Sequence, residues 1–245
     1  MKVDILTLFP EFFSSLYNWS IIGRAVDNNI LSINSINIRD FSKNKHKRVD
    51  DYPFGGGPGM VMSVEPVYNA INSVKGENSR IIYLSPQGKR LSQTLVKELS
   101  EEEHLILLCG HYEGIDNRII ENFIHEEISI GDYVLTGGEI PAMVLIDAVT
   151  RLLPGVLSSE ISYCDESHYN DILEHPQYTR PREFIGLKVP EILLSGNHKK
   201  IDEWKRYEAL KTTLIKRPDI IEKLNFDEND MEIISKIKKE IENKY

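Results

Sequence analysis

Several features that mark particular protein classes are scarce or absent in this chain of 245 residues. Its two cysteines, Cys109 and Cys164, have no second cysteine at metal-ligand spacing, which argues against a disulfide framework and a zinc site. No apolar run approaches the roughly 20 residues needed to cross a bilayer. The N-terminus, MKVDILTLFPEFF, lacks the long apolar stretch and small-residue cleavage site of a secretory signal, so we expect a cytoplasmic protein.

Two common nucleotide-binding motifs are also missing. No G-x-G-x-x-G follows a predicted strand, which weakens the hypothesis of a nucleotide-binding oxidoreductase. The GGGPG at residues 55–59 lacks the Gly-Lys-Ser/Thr ending of a nucleoside-triphosphate loop. It lies in a long polar connection, residues 39–62, and connections of this length inside a domain are usually functional or mobile. We interpret this connection as a lid over a substrate.

Positive charge is in the minority, since the formal net charge is −9. This balance argues against a protein that coats nucleic acid non-specifically, but an RNA substrate depends on where basic residues cluster. Two clusters stand out. The first contains Lys43, Lys45, Lys47 and Arg48, and the second, within residues 199–217, contains Lys199, Lys200, Lys205, Arg206, Lys211, Lys216 and Arg217.

The pattern that is present alternates strands with helices. Alternating apolar and polar residues predict strands at residues 2–8 and 31–38, and apolar runs predict strands at 80–84 and 105–109. Helical spacing predicts helices after Pro10 and at residues 64–74, 92–99, 116–123 and 139–153. This alternation predicts an α/β fold with a mainly parallel sheet. Residues 154–178 are irregular and acidic, as in a linker, and helices are expected at residues 199–216, 219–224 and 227–243.

Three glycine-containing turns follow apolar runs and predict a ligand site. They lie in residues 80–88, 104–114 and 128–141, and in the last of these Ile128, Ile130, Val134 and Leu135 are typical of a strand. Ligands of open α/β sheets bind beyond the carboxyl ends of the strands. The three turns are therefore expected to form three walls of one site.

The motifs in these turns resemble those of one enzyme family. YLSPQG, CGHYEGID and SIGDYVLTGGE, followed by LPGVL and HPQYTRP, resemble the bacterial tRNA (guanine-N1)-methyltransferases, and the likeness includes DDYPFGGGPGM near the start. The resemblance implies a SPOUT-type α/β fold with a deep trefoil knot in residues 1–158, a linker at 159–176, and a small all-helical tRNA-binding domain at 177–245. It also implies a homodimer that methylates N1 of the guanosine immediately 3′ of the anticodon.

The resemblance further implies S-adenosyl-L-methionine as the cosubstrate. Position by position, the residues expected to bind it are Tyr83, Leu84, Ser85, Pro86, Gln87, Gly88, Gly110, Tyr112, Glu113, Gly114, Ile130, Gly131, Asp132, Tyr133, Val134, Leu135, Gly137 and Gly138. Magnesium is possible as a further requirement of the family, although the sequence contains no evident cluster of metal ligands.

The expected chemistry needs a base, because N1 of guanine carries a proton at neutral pH. The family's general base is a linker aspartate, and its place here holds Glu166, with Asp165 as the competing candidate. The family's arginine partner of this base corresponds to Arg151. As the proton leaves, negative charge spreads onto O6 of guanine, where a cation or a backbone N–H would stabilise it. Tyr112, Tyr169 and Tyr178 are candidates to stack on the target base. An RNA-binding paralogue that has lost catalysis is the alternative hypothesis.

Overall fold

A computed structural model describes residues 1–18, 20–157 and 166–243 of the protein. The chain divides into two compact units, Met1–Ser159 and Glu160–Tyr245. Within the described residues, no helix combines the length and the apolar character that a membrane span requires.

The first unit is built around a five-stranded sheet. Its strands are β1 (Lys2–Thr7), β2 (Ser32–Asn37), β5 (Ser79–Arg90), β6 (His104–Cys109) and β7 (Glu126–Ser129). Their order is β2-β1-β6-β5-β7, and every neighbouring pair is parallel. In β6 five consecutive residues are buried, as expected for a strand covered on both faces. The prediction of a mainly parallel sheet in an α/β unit is confirmed.

Helices lie between the strands of this sheet and after its last strand, β7. They are α1 (Ser14–Asn18), α2 (Ser20–Asp27), α3 (Val64–Val74), α4 (Gln93–Ser100), α5 (Asn117–Phe123) and α6 (Glu139–Thr150). Ser92 caps α4 and Asp116 caps α5, each with a side chain that accepts a backbone N–H of the first turn. Two short strands, β3 (Asp50–Asp51) and β4 (Val61–Met62), pair in the connection that precedes α3.

The structure corrects the prediction of a strand through residue 135. β7 ends at Ser129, whose last ladder partner is Arg90. Ile130, Val134 and Leu135 lie in the following loop, where the N–H of Tyr133 turns back to the carbonyl of Gly131 (2.9 Å). Apolar residues in this loop line a cleft and do not extend the sheet.

The end of β5 and the start of the helical segment after Pro10 also differ from the prediction. β5 continues beyond Leu84 through an irregularity in its register with β7 and ends at Arg90. The helical segment after Pro10 begins as a 3₁₀ turn, Pro10–Phe13, and passes into α1 at Ser14. At both places the backbone is irregular: β5 has a shift in register, and the helix begins as a 3₁₀ turn. The spacing of apolar residues does not predict such irregularities.

A network of charged and polar side chains lies at the amino ends of β1, β2 and β6. The Asp4 carboxylate is buried and accepts hydrogen bonds from His104 Nε2 (2.8 Å) and Asn34 Nδ2 (3.0 Å), beside Lys2 Nζ at 2.7 Å. Burial acts to raise the pKa of Asp4, but the hydrogen bonds from Lys2, Asn34 and His104 together lower it below its ordinary value. The network therefore favours an ionised Asp4 in the folded protein.

The second unit has a core of its own, made by helices α7 (His198–Lys216), α8 (Pro218–Lys223) and α9 (Glu228–Glu242). Its buried residues are Ile172, Ala209, Leu210, Ile234 and Ile237. Ile172 precedes the helices in sequence, and the neighbouring Leu173 N–H donates to the Thr213 hydroxyl (3.0 Å). A small antiparallel hairpin, β8 (Glu183–Phe184) and β9 (Leu187–Lys188), accompanies the helices.

Candidate active site

A cleft of about 230 Å³ lies at the carboxyl ends of β6 and β7 and beside the part of β5 where its register with β7 shifts. Its walls come from the three turns that the sequence singled out, residues 83–87, 110–114 and 128–138. Parallel strands deliver their carboxyl ends to one edge of a sheet, which explains why turns distant in sequence meet here.

The predicted cosubstrate-binding residues line this cleft, with two exceptions, Gly88 and Asp132. At Gly88 a Cβ atom would lie 2.4 Å from the carbonyl carbon of Glu127, so its glycine allows close contact with the β7 backbone. The Asp132 carboxylate pairs with the exposed guanidinium of Arg90. The structure thus gives both residues contacts outside the cleft.

Five further residues line the cleft and were not among the predicted cosubstrate ligands: His111, Ile128, Ser129, Thr136 and Pro141. His111 is the most informative, because its Nδ1 atom is buried and has no hydrogen-bond partner among the described residues. Its ring packs edge-on against Phe9 and Tyr112. Its place within the CGHYEG turn was the available signal. A buried ring nitrogen in a cleft wall is suited to a ligand contact.

The chain after β7 passes very close to the end of β6. The Gly138 N–H donates to the Gly110 carbonyl (3.0 Å), and a Cβ at Gly138 would lie 2.7 Å from the Cα of Cys109. Next to it, Glu139 begins α6 with a buried carboxylate that accepts a hydrogen bond from the Thr7 hydroxyl (2.7 Å). Glu139 thereby links the third wall to the carboxyl end of β1.

Two ionisable side chains in this region are held in their neutral forms. Burial, with a contribution from Glu127, raises the pKa of Tyr83 to about 12. Burial and the neighbouring Glu139 raise the pKa of Cys109 well above its ordinary value. Tyr83 is therefore a neutral hydroxyl on the cleft wall, and Cys109 is an unreactive buried thiol.

The end of the long connection is fixed to the second wall of the cleft. The Met62 N–H donates to the Gly114 carbonyl (2.9 Å), and the Glu113 N–H donates to the Met60 carbonyl (3.0 Å). The Glu113 side chain lies against Gly59 of the GGGPG segment. Tyr52 and Phe54, earlier in the connection, are exposed. The role of this connection as a lid stays a prediction.

The predicted catalytic residues lie in different units. Arg151 is the C-cap residue of α6 and is partly buried. Glu166 belongs to the second unit, where it lines a separate cavity of about 350 Å³ with His175 and Lys205. Asp165 lies outside the described residues.

The two basic clusters differ in their pairing. In the first, Lys43 pairs with Glu65 at 2.5 Å and Lys47 with Asp40 at 2.6 Å, both near the surface. Lys45 of the same cluster is exposed. Such surface pairs are weak and leave lysines available to a phosphate.

In the second cluster, Arg206 forms an ion pair within the unit: its Nε donates a hydrogen bond to the buried Asp230 carboxylate (2.9 Å). That hydrogen bond is the main reason why the pKa of Arg206 is raised. Lys199 and Lys200 lie exposed in the first turn of α7.

Of the three tyrosines proposed for stacking, Tyr112 belongs to the first unit, and Tyr169 and Tyr178 belong to the second. Tyr112 lines the cleft and is partly exposed, with a backbone φ of 59°. Tyr178 is exposed and lies near the Trp204 ring, with centroids 6.3 Å apart, and Tyr169 is partly buried.

Among the described residues, no group of three or more His, Cys, Asp or Glu side chains is placed to hold a metal ion. A magnesium requirement stays a prediction.

Comparison with known proteins decides the family. Residues 1–223 match the family model described as tRNA (Guanine-1)-methyltransferase TrmD. The chain belongs to this family. The match confirms the resemblance stated from the sequence motifs, and it spans the whole first unit together with α7 and α8 of the second.

Individual members of the tRNA (guanine-1)-methyltransferase family are similar over nearly their full length. The tRNA (guanine-N(1)-)-methyltransferase of Ruminiclostridium cellulolyticum is 62% identical over 227 residues, covering 91% of this chain and 97% of the relative. The protein of the same name from Staphylococcus carnosus is 53% identical over 245 residues, covering both chains completely. That of Clostridioides difficile is 56% identical over 229 residues, covering 92% of this chain and 99% of the relative.

Proposed function

We propose that this protein transfers a methyl group from S-adenosyl-L-methionine to N1 of the guanosine immediately 3′ of the anticodon in tRNA. The observation that carries the proposal is the convergence of the three family motifs on one cleft at the carboxyl edge of the sheet. Family membership favours neither the oxidoreductase hypothesis nor the paralogue without catalysis.

The residues of the cleft fit the proposed cosubstrate. Leu84, Ile130 and Leu135 offer apolar contact for an adenine ring, while the turn backbones offer donors and acceptors for its edge. The buried Nδ1 of His111 supplies one further polar atom for the ligand. The Glu113 carboxylate, in the same wall, is suited to a cationic group. When bound, the cosubstrate supplies an activated methyl group on a sulfonium.

The protein's own chemical task is to remove the N1 proton and to orient the base. Glu166 is the proposed general base, because it occupies the position of the family's linker aspartate, and Asp165 is the alternative. Arg151 is proposed to stabilise the charge that develops on O6 of guanine as the proton leaves. The deprotonated N1 would then attack the methyl carbon, with the bond to sulfur breaking and a neutral thioether leaving. Because the sulfonium is already an activated electrophile, no covalent enzyme intermediate is needed.

We further propose that the first unit contains the deep trefoil knot of SPOUT methyltransferases. Support comes from the course of residues 130–138, which leave β7 at one side of β5 and return to hydrogen-bond with Gly110 at the end of β6. The close approach of Gly138 to Cys109 is what tight passage of the chain at this point requires.

The active form is proposed to be a homodimer. The 3₁₀ turn at Pro10–Phe13 contacts α6, and this region exposes four large apolar side chains. They are Phe9, Phe12, Ile140 and Val144. Exposed apolar residues concentrated on one face are typical of a protein interface. A second copy of the chain is the proposed occupant.

The proposed domain assignments follow from these roles. Residues 1–158 bind the cosubstrate, residues 159–176 link the domains and carry the base, and residues 177–245 bind tRNA through the second basic cluster. The first basic cluster and the lid segment contribute further phosphate contacts that position the substrate. We propose that the enzyme acts in the cytoplasm, where it meets its tRNA.

Methyl transfer to tRNA transcripts tests the proposal. The wild-type protein is expected to transfer a labelled methyl group to a transcript with guanosine 3′ of the anticodon, and not to one with adenosine there. Glu166→Gln should abolish transfer while calorimetry shows unchanged donor binding. Loss of activity in Asp165→Asn alone would move the base by one residue. No transfer by a wild-type protein that binds the donor would overturn the enzymatic function.

A further inference from the structure

The tip of the β8–β9 hairpin, in the second unit, exposes large apolar side chains. Phe184 is 64% exposed, Ile185 is 81% exposed and Leu187 is 71% exposed. Every residue from 177 to 188 is exposed. Three neighbouring large apolar side chains that stand out to this extent indicate a contact surface.

The backbone of the tip is fixed in a conformation that disfavours the residue found there. Phe184 pairs with Leu187, so Ile185 and Gly186 form a two-residue turn with φ values of 47° and 83°. Positive φ at both positions is the pattern of a type I′ turn, in which Asn-Gly is preferred. A β-branched residue at positive φ is a conformational outlier, and such strain concentrates at functional sites. The isoleucine strains the backbone of the turn, and its exposed side chain makes no buried contact in return. A contact of this side chain with a partner would explain why isoleucine stands here.

The hairpin is a firm support for this tip. The Val189 N–H donates to the Arg182 carbonyl (3.0 Å), and Glu183 pairs with Lys188 across the two strands. Cross-strand pairing therefore fixes the two ends of the turn. This pairing restricts the backbone of the tip, which reduces the entropy lost on binding.

Charge around the tip points to RNA as the partner. Within residues 177–188 the cations Arg180, Arg182 and Lys188 stand against a single carboxylate, Glu183, although the whole chain is acidic. Arginine and lysine beside exposed apolar side chains match a nucleic acid strand, with phosphates for the cations and base faces for the apolar groups.

We propose that the tip of the β8–β9 hairpin inserts Phe184 and Ile185 between bases of the tRNA anticodon loop. This inference rests on the proposed tRNA methylation. A guanine stacked in that loop must be turned out to reach the methyl donor, and its departure leaves a gap in the stack. Apolar side chains act as wedges between bases in other nucleic-acid-binding proteins. Phe184 and Ile185 would fill the gap and hold the loop open.

The substitution Ile185→Asn separates this role from a structural one. Asparagine tolerates positive φ and suits the turn, so the melting temperature should rise or stay unchanged. Loss of the apolar wedge should lower kcat/KM for tRNA by about tenfold, because unstacking the bases, which costs a few kcal/mol per step, is no longer compensated. The affinity for S-adenosyl-L-methionine should not change. Phe184→Ser provides a second variant, and Met231→Gln on the acidic α9, also exposed, is the matched control.

Base unstacking can be followed directly with 2-aminopurine placed next to the target guanosine in a full-length tRNA. Its fluorescence should increase on binding wild-type protein and the Met231→Gln control, and much less with Ile185→Asn or Phe184→Ser. Wild-type kcat/KM in both hairpin variants would overturn the inference. So would a lost activity with a full fluorescence increase, or a dimer that dissociates in light scattering, since the tip would then serve a protein contact. Absence of methyl transfer by the wild type would instead overturn the proposed function.

Discussion

Gly138 and Cys109 lie so close that a Cβ on Gly138 would be 2.7 Å from the Cα of Cys109. The same glycine donates its N–H to the carbonyl of Gly110, the residue that follows Cys109. This contact holds the third wall of the cleft against the end of β6. The geometry of the cleft therefore depends on the absence of a side chain at residue 138.

Gly138→Ala should disrupt this contact. Because the clash is with backbone, neighbouring side chains cannot relieve it, and we expect a loss of about 1–3 kcal/mol in the free energy of unfolding. Binding of S-adenosyl-L-methionine should be lost or strongly weakened in calorimetry. Gly76→Ala is the control, since a Cβ there would make an ordinary contact 3.6 Å from the Ser79 hydroxyl. Donor affinity equal to wild type in Gly138→Ala would contradict the account of the cleft.

His111→Phe tests whether the buried Nδ1 atom contacts the cosubstrate. Phenylalanine preserves the edge-on packing with Phe9 and Tyr112 and removes a buried polar atom that lacks a described partner. Stability should therefore stay unchanged or increase, while donor affinity should fall about threefold to tenfold, the value of one hydrogen bond. Unchanged affinity, measured by calorimetry, would remove His111 from the binding site.

Asp4→Asn should destabilise the first unit in a pH-dependent way. The pKa of Asp4 is lower in the folded state than in the unfolded state, where it is about 4. The ionised carboxylate therefore stabilises the folded protein above that pH, and this stabilisation is lost as the pH falls through the folded-state pKa. At pH 7 we expect a loss of about 1–3 kcal/mol in urea unfolding, because His104 and Asn34 lose a charged acceptor.

The difference between wild type and Asp4→Asn should shrink below about pH 4. Asp132→Asn is the control, because its pair with Arg90 is exposed and should contribute little. A deficit of equal size at pH 3 and pH 7 would show that the Asp4 charge is not what stabilises this edge of the sheet.

Val144→Glu tests the proposed dimer. A carboxylate on the exposed face of α6 is tolerated by the isolated unit but costs free energy when buried at an interface. Light scattering should show the mass of one chain for this variant and of two chains for the wild type. Met231→Glu, on α9 of the second unit, should remain dimeric. A wild-type monomer that is fully active would refute the dimer.

The sequence predicted β6 because its burial on two faces leaves an uninterrupted apolar run, and β2 because its apolar and polar residues alternate. β7 was predicted poorly, because its Glu126 and Glu127 hide the strand and the apolar residues that follow it lie in a loop. The three turns around the cleft were predicted because each combines glycine with the end of such a run. The network of Asp4, His104 and Ser79 was not predicted, because it depends on the register of β1, β5 and β6.

Other features lacked any local signal. Each strand of the β8–β9 hairpin has only two residues, and its Ile185-Gly186 turn lacks the Asn or Asp that usually marks a hairpin. The loop character of Val134 and Leu135 was hidden by their β-favouring composition, which here serves a cleft wall. The roles of Arg151 and Glu166 came from family resemblance, since their sequence context alone suits an arginine at a helix end and a linker carboxylate equally well.

The identity of the methylated atom tests the central claim most directly. A tRNA transcript with guanosine 3′ of the anticodon would be incubated with the protein and S-adenosyl-L-methionine, digested with a nuclease, and analysed by mass spectrometry with nucleoside standards. The account predicts 1-methylguanosine in the oligonucleotide that contains this position and unmodified guanosine elsewhere. Methylation at another ring atom or at another nucleotide, or an unmodified transcript, would contradict it.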